Sequence, residues 1–481
     1  MKDYITVIGG GLAGSEAAYQ IAKRGIKVKL YEMKPVKFSE AHSNSDLAEI
    51  VCSNSLKSNL LTNACGLLKE ELRKLDSLLI RIADETKVPA GQALAVDREM
   101  FSKRVTEEIE ANPLIEVIHK EVGIDRDNNT TIEDECSELE EMTKDGIVII
   151  ATGPLTSNAL SKEIQKITGE DKFYFYDAAA PIISKESIDF NIAFYGDRYS
   201  QEKKKEETIE EWHKRLKEQD KTEQSYINLP MNQEEYEKFW RNLVEAEVVT
   251  LHDFEKKEIF EGCMPIEIMA KRGIDTLRFG PLKPVGFDDP RTGRRPYALV
   301  QLRQDDKMAS MYNIVGFQTN LKYGEQKRVF SMIPGLQNAD FVKYGVMHRN
   351  TYINSPNLLD ETYNLKTHKN IYFAGQITGV EGYVESISSG MVAALNAIAA
   401  FRDTSKKQQQ HTFQKCSQKL GKVIFSENTI IGALAKYIST SNENFQPMNA
   451  NFGILPELEG TKIRDKKERY MKYAKRSLEN F

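Results

Sequence analysis

A glycine-rich turn near the start of the chain has the composition of a phosphate-binding site. It lies between the β-rich run Tyr4–Ile8 and the helical apolar spacing of Leu12–Lys23. Six residues fit the pattern GxGxxG: Gly9, Gly10, Gly11, Leu12, Ala13 and Gly14. In this context Gly9 permits a tight turn, Gly11 lets the backbone approach a pyrophosphate and Gly14 allows close helix–strand packing. The amides of the helix N-terminus favour a bound anion.

A carboxylate follows at the spacing expected for dinucleotide binding. The predicted strand Ile26–Tyr31 runs into Glu32, which stands 18 residues after Gly14 (32 − 14). At that place a carboxylate accepts hydrogen bonds from ribose hydroxyls. A glycine-rich turn by itself binds nothing about as often as it binds a dinucleotide. The two flanking strands and Glu32 together predict that this one binds a dinucleotide.

Two later segments favour FAD over NAD, because they resemble the flavoprotein disulfide-reductase-like superfamily. Ala151-Thr152-Gly153 follows the buried-type strand Gly146–Ile150, and the turn Gly375-Gln376 follows Asn370–Ala374. That superfamily usually has Gly-Asp facing the flavin ribityl chain, whereas Gln376 stands here. The residues predicted to contact the cofactor are Gly9, Gly10, Gly11, Leu12, Ala13, Gly14, Glu32, Thr152, Gly153, Gly375, Gln376 and Gly382.

The cysteines form no recognisable metal or disulfide pattern. The five are Cys52, Cys65, Cys136, Cys263 and Cys416, scattered along the chain and without a CxxC pair. This spacing argues against a structural zinc site and a disulfide framework, and the odd number suits a reducing compartment. No group of His, Asp and Glu has the spacing of metal ligands, so no metal is expected.

The elements that position these residues predict an α/β fold with a Rossmann-like, glutathione-reductase-type FAD-binding domain split by an α+β insertion. The predicted divisions are 1–183 for the first FAD part, 184–333 for the insertion, 334–440 for the second FAD part and 441–481 for a basic tail. Alternating segments punctuated by Gly and Pro between about 245 and 330 predict an antiparallel β-rich region. A charged helix is predicted over Leu67–Ile82, and a solvated helix or surface insertion over 200–224.

Composition excludes several classes of protein. The 481 residues carry 66 basic and 71 acidic side chains, a net charge of −5 that argues against a generally basic nucleic-acid binder but not against a local basic face. No apolar run approaches the ~20 residues of a membrane span; the best candidate, Gly390–Phe401, is short and contains Asn396. The start of the chain lacks the features of a signal peptide. We therefore expect a cytoplasmic protein without a membrane partner.

Five further segments resemble the folate/FAD-dependent RNA uracil-C5-methyltransferase family. The resemblance runs in order from residue 1 to about 400 and is far more specific than GxGxxG. The segments are Glu49–Leu56, Pro89–Arg98, Glu261–Glu267, Arg278–Gly286 and Ala374–Tyr383. The resemblance to this family implies that the protein uses FAD, with 5,10-methylenetetrahydrofolate as carbon donor and NADPH or NADH as reductant. It also implies that the substrate is RNA and not DNA.

The resemblance assigns the catalytic pair to Cys263 and Cys52. Uracil C5 is a poor nucleophile until a group adds to C6, which a thiolate does well. Cys263 is then the C6 nucleophile, and Cys52 the general base or a guard of the carbon unit on the flavin; which thiol does which is left open. A single cysteine is most often a small buried hydrophobe, and that interpretation holds for Cys65, Cys136 and Cys416.

Other candidates carry weaker signals. His348, Arg349 and Asn350 lie in a segment that resembles a family segment near the flavin, so folate or flavin contacts are expected there. An arginine group with Tyr297 among it could bind phosphate and stack bases: Arg291, Arg294, Arg295 and Arg303. The Lys/Arg-rich tail beside Tyr470 and Tyr473 is a further RNA candidate, although a charge run is more often a solvated face.

Three functions remain open from the sequence. The first is an RNA uracil methyltransferase, acting on T-loop uridine-54 of tRNA or on a uridine of 23S ribosomal RNA. The second is a small-molecule FAD oxidoreductase, disfavoured because the chain has neither a redox CxxC nor a second GxGxxG. The third is a non-catalytic RNA-binding scaffold, which the Cys52 and Cys263 motifs disfavour.

Overall fold

A computed structural model describes the chain apart from several stretches. The residues outside the description are Met1, Glu40, 124–136, 170–172, 199–205, 219–225, 250–263, Val346, 410–421, 443–444 and 461–462. For residues 173–178, 209, 213, 216–218, 347–349 and 404–409 only the backbone is described. The predicted nucleophile Cys263 therefore lies outside the described residues, as do Cys136 and Cys416.

A five-stranded sheet in the order β16-β7-β1-β2-β6 forms the base of the fold, and each pairing in it is parallel. Its strands are β1 (Tyr4–Ile8), β2 (Lys27–Glu32), β6 (Ile115–His119), β7 (Ile147–Ile150) and β16 (Ile371–Phe373). The last strand returns from late in the chain to pair with β7. This sheet confirms the predicted doubly wound α/β class with a split nucleotide-binding domain.

Two helices, α1 (Leu12–Lys23) and α13 (Tyr383–Gln409), pack against each other on this sheet. They approach at glycine: a Cβ built on Gly390 of α13 would lie 2.2 Å from the carbonyl oxygen of Ala13. The helices around the same core are α2 (Ala64–Lys74), α3 (Leu78–Glu85), α4 (Arg98–Glu110), α5 (Glu138–Lys144), α6 (Asn158–Thr168) and α12 (Ser355–Leu358).

A six-stranded antiparallel sheet in the order β10-β11-β12-β13-β9-β14 supports a second hydrophobic core. Its strands are β9 (Ile182–Ser184), β10 (Phe194–Tyr195), β11 (Tyr226–Met231), β12 (Ala298–Gln304), β13 (Met311–Ile314) and β14 (Phe341–Lys343). The accompanying helices are α7 (Ile209–Glu218), α8 (Gln233–Glu245), α9 (Ile266–Lys271), α10 (Thr276–Phe279) and α11 (Tyr323–Phe330). The predicted domain bounds at 184 and 333 stay a prediction.

Two small antiparallel sheets join these cores. The first contains β3 (Ser55–Ser58), β4 (Lys87–Val88) and β5 (Ala93–Val96), which follow the Cys52 segment. The second pairs β8 (Phe173–Ala178) with β15 (Met347–Tyr352). The chain leaves the five-stranded sheet for the six-stranded sheet through β8 and returns through β15.

The end of the chain is packed onto the first core. Helices α14 (Ile430–Ser439) and α15 (Lys466–Leu478) meet α2 around the buried Glu71. Its carboxylate accepts from the amides of Ile430 and Ile431 at 2.8 and 2.9 Å and from the hydroxyl of Ser477. Burial raises the pKa of Glu71 to about 7, against these hydrogen bonds. Part of the predicted basic tail is thus a docked helix.

Two sequence-based expectations about elements were wrong. The helix predicted over Leu67–Ile82 is two helices, because Asp76 adopts a left-handed conformation (φ 57°) and the Ser77 side chain caps α3. The segment Arg278–Phe287, predicted as β-rich, contains the end of α10 and turns. Its Pro281 and Pro284 lack the amide hydrogen that a ladder requires.

Within the described residues, α13 contains a stretch, Tyr383–Asp403, that is long and apolar enough to cross a membrane by length and composition. The expectation that no apolar run approaches the length of a membrane span was therefore wrong. Its most apolar window is 83% buried inside the protein, where it packs on α1 and α2. A core helix passes the same test, so the stretch is accounted for by packing.

We expect Gly390→Ala to lower the free energy of unfolding by about 2 kcal/mol, because the new methyl group would overlap the Ala13 carbonyl of α1. The matched control is Gly324→Ala in α11, where a Cβ meets nothing within 4 Å. That change should raise stability by about 0.5 kcal/mol through helix propensity. Urea unfolding followed by circular dichroism measures both; equal effects of the two substitutions would contradict the close approach.

Candidate active site

The glycine-rich turn lies where β1 meets the start of α1, and close backbone packing fixes its shape. Gly9 has a φ of +102°, and a Cβ there would lie 2.6 Å from the Ala151 carbonyl oxygen. A Cβ on Gly14 would lie 1.8 Å from the Gly9 carbonyl oxygen. Gly11 differs, since a Cβ there would meet nothing within 4 Å. The turn is therefore tightly packed behind and open in front.

The open side of the turn faces a cleft of about 1060 Å³, a volume that includes solvent at its mouth. Ten of the predicted cofactor residues line it: Gly9, Gly10, Gly11, Leu12, Ala13, Glu32, Thr152, Gly153, Gly375 and Gln376. Gly14 and Gly382 do not. Gly14 packs behind the turn, and Gly382 (φ +116°) lies against Glu385 and Lys57.

Glu32 holds the glycine turn in place from the end of β2. One carboxylate oxygen accepts from the Gly10 amide at 2.8 Å, and the other accepts from the Lys34 amide at 2.9 Å. Each oxygen retains a second lone pair, so Glu32 can accept from ribose hydroxyls as well. The sequence predicted the ribose role but not the contact that fixes the turn.

The N-terminus of α1 suits an anionic ligand. Gly11 is the N-cap residue and has no side chain to accept from the first amides of the helix. These amides and the helix dipole favour a phosphate group in front of Gly11. Together with the space at Gly11, this is the observation that fits a dinucleotide to the cleft.

Two charged residues in the cleft wall were not predicted as site residues. The side chains of Lys34 and Glu49 form an ion pair at 3.3 Å and are both more than nine-tenths buried. Burial works to raise the pKa of Glu49, but hydrogen bonds from Ser43 and the charge of Lys34 outweigh it and lower the pKa. The position of Glu49, three residues before Cys52, was the sequence signal available.

The later motifs form the opposite wall of the cleft. Gly375 has a φ of +83° and donates its amide to the Ser389 hydroxyl at 2.6 Å, which ties the turn to α13. The Gln376 amide donates to both oxygens of Glu381 at 2.7 and 2.6 Å. Gln376 therefore sits where the superfamily has Asp, with its nitrogen directed to a carboxylate of its own chain.

The segment before and after Cys52 is clamped by three side chains from distant parts of the chain. The Arg98 guanidinium donates to the carbonyls of Ile50 and Val51 at 3.1 and 3.0 Å, and also contacts Asp305 at 3.0 Å. The Tyr383 hydroxyl accepts from the amides of Cys52 and Ser53 at 2.9 and 3.2 Å. Burial, and next the charge of Cys52, raise the pKa of Tyr383, which keeps its hydroxyl protonated.

Arg303 is the third clamp, and this corrects its predicted place in an RNA-binding arginine group. Its guanidinium is buried and donates to Asn54 Oδ1 at 2.9 Å and to Ser53 Oγ at 2.6 Å. β12 lies between β11 and β13 in the interior of the sheet, and all its residues except Gln301 are buried, so Arg303 is not on the surface with Arg291, Arg294 and Arg295. It links the antiparallel sheet to the Cys52 segment.

Lys343, at the end of β14, also faces this segment and was missed from the sequence. Burial lowers the pKa of Lys343, and so does Arg98, while Glu49, Asp305 and Cys52 lie near enough to oppose that shift. Within the described chain, its ammonium makes no hydrogen bond or ion pair. A partly buried basic group thus interacts electrostatically with Cys52.

The segment predicted for folate or flavin contacts lies in β15. Asn350 is fully buried, and among the described residues neither Nδ2 nor Oδ1 of its amide has a hydrogen-bond partner. The next residue, Thr351, donates its amide to the carbonyl of Pro154 in the cleft wall at 2.8 Å. An unpaired buried amide here fits a polar ligand. The side chains of His348 and Arg349 are not described.

The two ends of the segment that carries Cys263 are fixed on one short stretch. The Val249 amide donates to the backbone carbonyl of Asn320 at 2.9 Å, and the Ile266 amide donates to the backbone carbonyl of Gln318 at 2.7 Å. Cys65 differs from the partly exposed Cys52: it is buried in α2, and burial raises the pKa of its thiol to about 11. That environment fits the inert role expected for Cys65.

The remaining basic candidates are exposed. Arg291 pairs with Asp289 at 2.8 Å, and Arg294 and Arg295 lie at the surface. On α15, Lys466, Lys467 and Lys472 are exposed, whereas Tyr473 is buried. Among the residues described, no group of three His, Cys, Asp or Glu side chains could hold a metal ion.

Comparison with known proteins agrees with this geometry. The family model "Glucose inhibited division protein A" (GIDA) matches residues 4–405. A methylenetetrahydrofolate–tRNA-(uracil-5-)-methyltransferase TrmFO of Acetivibrio thermocellus is 56% identical, over 99% of this chain and 98% of the relative. One of the same name from Bacillus pumilus is 52% identical over 100% and 98%. The chain belongs to the GIDA family, among its methylenetetrahydrofolate–tRNA-(uracil-5-)-methyltransferases.

A solved structure supports the fold independently of these close relatives. Aquifex aeolicus GidA superposes on this GIDA-family chain with a TM-score of 0.62. The match covers 99% of this chain and 73% of that one at 16% identity. At that identity the likeness bears on the fold alone, and it confirms the predicted FAD-domain architecture.

We expect Gly11→Ala to weaken binding of FAD, the predicted dinucleotide, at least about tenfold, because the methyl group fills the space in front of the turn. Stability of the cofactor-free chain should change by less than about 1 kcal/mol, as at other N-cap positions. In contrast, Gly9→Ala should destabilise the cofactor-free fold, since its φ is positive and its Cβ meets Ala151. Flavin fluorescence titration and thermal unfolding separate the two effects; unchanged affinity in Gly11→Ala would reject this cleft.

Proposed function

We propose that this chain methylates C5 of a uridine in RNA, with FAD in the glycine-lined cleft and 5,10-methylenetetrahydrofolate as carbon donor. The substrate we propose is the T-loop uridine-54 of tRNA, and NADPH or NADH is the reductant. The observation that carries the proposal is the juxtaposition of the cleft with the clamped Cys52 segment. Full-length relatives of more than half identity bear a methylenetetrahydrofolate–tRNA-(uracil-5-)-methyltransferase name, which supports it.

The dinucleotide would be held by backbone more than by side chains. The open amides of α1 would bind its phosphates, Glu32 would accept from a ribose, and the Gly153 and Gly375 turns would border its far end. When bound, reduced FAD supplies transfer of the one-carbon unit and the reducing equivalents. The protein itself orients the reactants.

The two cysteines act on the uracil ring. Cys263 adds to C6, and the electron pair of the C5–C6 double bond moves to C5, which becomes nucleophilic. After C5 has gained its one-carbon unit, Cys52 or a group that it supports removes the C5 proton, and the electron pair of that C–H bond would form an exocyclic methylene as the bond to the carrier breaks. A hydride equivalent supplied by the reduced cofactor would convert this methylene to a methyl group, while the C5–C6 double bond returns and the Cys263 thiolate leaves C6. Arg98 and Tyr383 hold the Cys52 backbone, so this thiol is presented by a rigid segment.

The alternative of a small-molecule FAD oxidoreductase needs neither thiol. It gives no reason for three separated side chains, Arg98, Arg303 and Tyr383, to converge on residues 50–54. We also propose a cytoplasmic location, where folate, reduced nicotinamide cofactor and RNA are available to a reduced thiol.

The substrate is tested by incubating the purified protein with labelled methylenetetrahydrofolate, NADPH and either a tRNA transcript or a 23S ribosomal RNA transcript. We expect label in 5-methyluridine of the tRNA only, and loss of that label when the transcript carries cytidine in place of uridine-54. Nucleoside analysis by liquid chromatography and mass spectrometry provides the measurement. Label in ribosomal RNA alone would replace the substrate, and label in neither would reject the proposed reaction.

Cys263→Ala should bind FAD normally and yield no methylated RNA. The rate of methylation should fall by a factor on the order of 1000 or more, because a covalent nucleophile is removed. The matched control is Cys65→Ala, since that thiol is buried and its pKa is raised to about 11. This control should retain methylation within about threefold. Methylation by Cys263→Ala at the rate of the unaltered protein would contradict the nucleophile assignment.

A further inference from the structure

Three aromatic rings form a continuous stack at the end of β14 and the start of α11. The ring of Tyr344 lies 5.3 Å from that of Phe341 at an interplanar angle of 7°. On the other side it lies 5.1 Å from the ring of Tyr323, at 22°. These three residues are called the aromatic stack below. The end ring, Tyr323, is 57% exposed, and Val342 beside the stack is 53% exposed.

The stack is held by buried backbone contacts and not by the rings alone. The side-chain amide of the fully buried Gln326 both donates to the Gly345 carbonyl and accepts from the Gly345 amide, each at 2.8 Å. Gly345 fits closely there, because a Cβ would lie 2.7 Å from both the Ala179 carbonyl oxygen and the Thr319 methyl group. Tyr344 is thereby fixed against the first turn of α11.

The aromatic stack is connected along the chain to two parts of the candidate active site. Lys343 lies between Phe341 and Tyr344 in sequence, and Cys52 and Glu49 are among the charged groups that affect its pKa. Tyr323 follows the stretch 318–322, to which Val249 and Ile266 are hydrogen-bonded. The end ring of the stack is therefore adjacent in sequence to the residues that hold Val249 and Ile266, on either side of the Cys263 segment.

The charges around the stack are balanced in number, but they are not all paired. The basic residues are Lys322, Lys327, Arg328 and Lys343, and the acidic ones are Glu245, Glu247, Glu325 and Asp340. Lys322 and Arg328 pair with Glu247 and Glu325 at 2.6 and 2.7 Å. In the described part of the chain Lys327, which is exposed and lies four residues after Tyr323 on α11, has no ion-pair partner, so one cation remains available beside the end ring.

We propose that the aromatic stack is a platform for a base of the RNA substrate, which stacks on the exposed face of Tyr323 while a neighbouring phosphate meets Lys327. This inference rests on the proposed function and adds to it the place where the RNA is held. Base–aromatic stacking tolerates any sequence, and it is typical of sites that grip unpaired nucleotides beside a flipped base. Fixed, exposed rings are suited to that role because little side-chain entropy is lost on binding.

The test is equilibrium binding of a fluorescent tRNA transcript, followed by anisotropy over a range of salt concentrations, with the FAD-loaded protein. Tyr323→Ala should weaken binding about tenfold, whereas Tyr323→Phe, which keeps the ring, should bind within about twofold. The salt dependence should be unchanged in Tyr323→Ala, because stacking releases no counterions. It should fall by about 0.7 in log–log slope in Lys327→Gln, which removes one phosphate contact.

The matched control is Phe190→Ala. Phe190 is 42% exposed and stacks on Tyr195 at 5.3 Å, but Tyr195 belongs to β10, at the opposite edge of the same sheet from β14. This control should bind RNA like the unaltered protein. The flavin absorbance spectrum reports an intact fold in every variant.

Three results would overturn the platform. Binding by Tyr323→Ala equal to that of the unaltered protein would do so and leave the methylation proposal standing. Reduced affinity of Tyr323→Ala for tetrahydrofolate with unchanged affinity for RNA would assign the rings to folate instead. Failure of the unaltered protein itself to bind the transcript would reject the proposed function, and the platform with it.

Discussion

The close approach of backbone to backbone at the glycine turn is the constraint on which the rest of the molecule depends. Gly14 rests on Gly9, and Gly9 rests on Ala151, at distances that leave no room for a Cβ. These contacts bring β1, β7 and the start of α1 together so that their ends share one edge of the sheet. A similar close contact, between Gly390 of α13 and the Ala13 carbonyl, packs α13 against α1. A cleft for a dinucleotide results because the turn that borders it is made of glycines, which have no side chains to fill the space.

The second constraint is the clamping of residues 50–54 between two sheets that are far apart in sequence. Arg303 and Asp305 come from the end of β12 and just after it, whereas Arg98 begins α4 and Tyr383 begins α13. Asn54 donates to the carbonyls of Val96 and Gln304, so its one side chain joins the two cores directly. The position of the Cys52 thiol is therefore a property of the whole assembly of sheets, and a local motif alone could not produce it.

The same distinction explains how much could be predicted from the sequence. The strand–turn–helix unit at residues 4–23 and the strands at 147–150 and 371–373 were predicted nearly to the residue, because glycine spacing and apolar runs are local signals. Arg303 was placed wrongly because its neighbours in sequence are surface arginines, and only the pairing of β12 reveals that it faces inward. Lys343 and Gln326 carried no local signal at all: their importance comes from residues brought near by long connections.

The charge of the chain gains a different meaning from this arrangement. A net charge of −5 provides no long-range attraction for RNA, so binding must depend on short-range contacts at a defined place. Cations that already pair with acids, such as Arg291 and Arg328, add little to the binding of RNA. An RNA phosphate would have to compete with the carboxylate that each of them already contacts. Aromatic faces do not compete in this way, and stacking on them is insensitive to net charge. An acidic protein that must hold a polyanion therefore gains most from fixed rings flanked by an unpaired cation, and the stack of Phe341, Tyr344 and Tyr323 beside Lys327 has that composition.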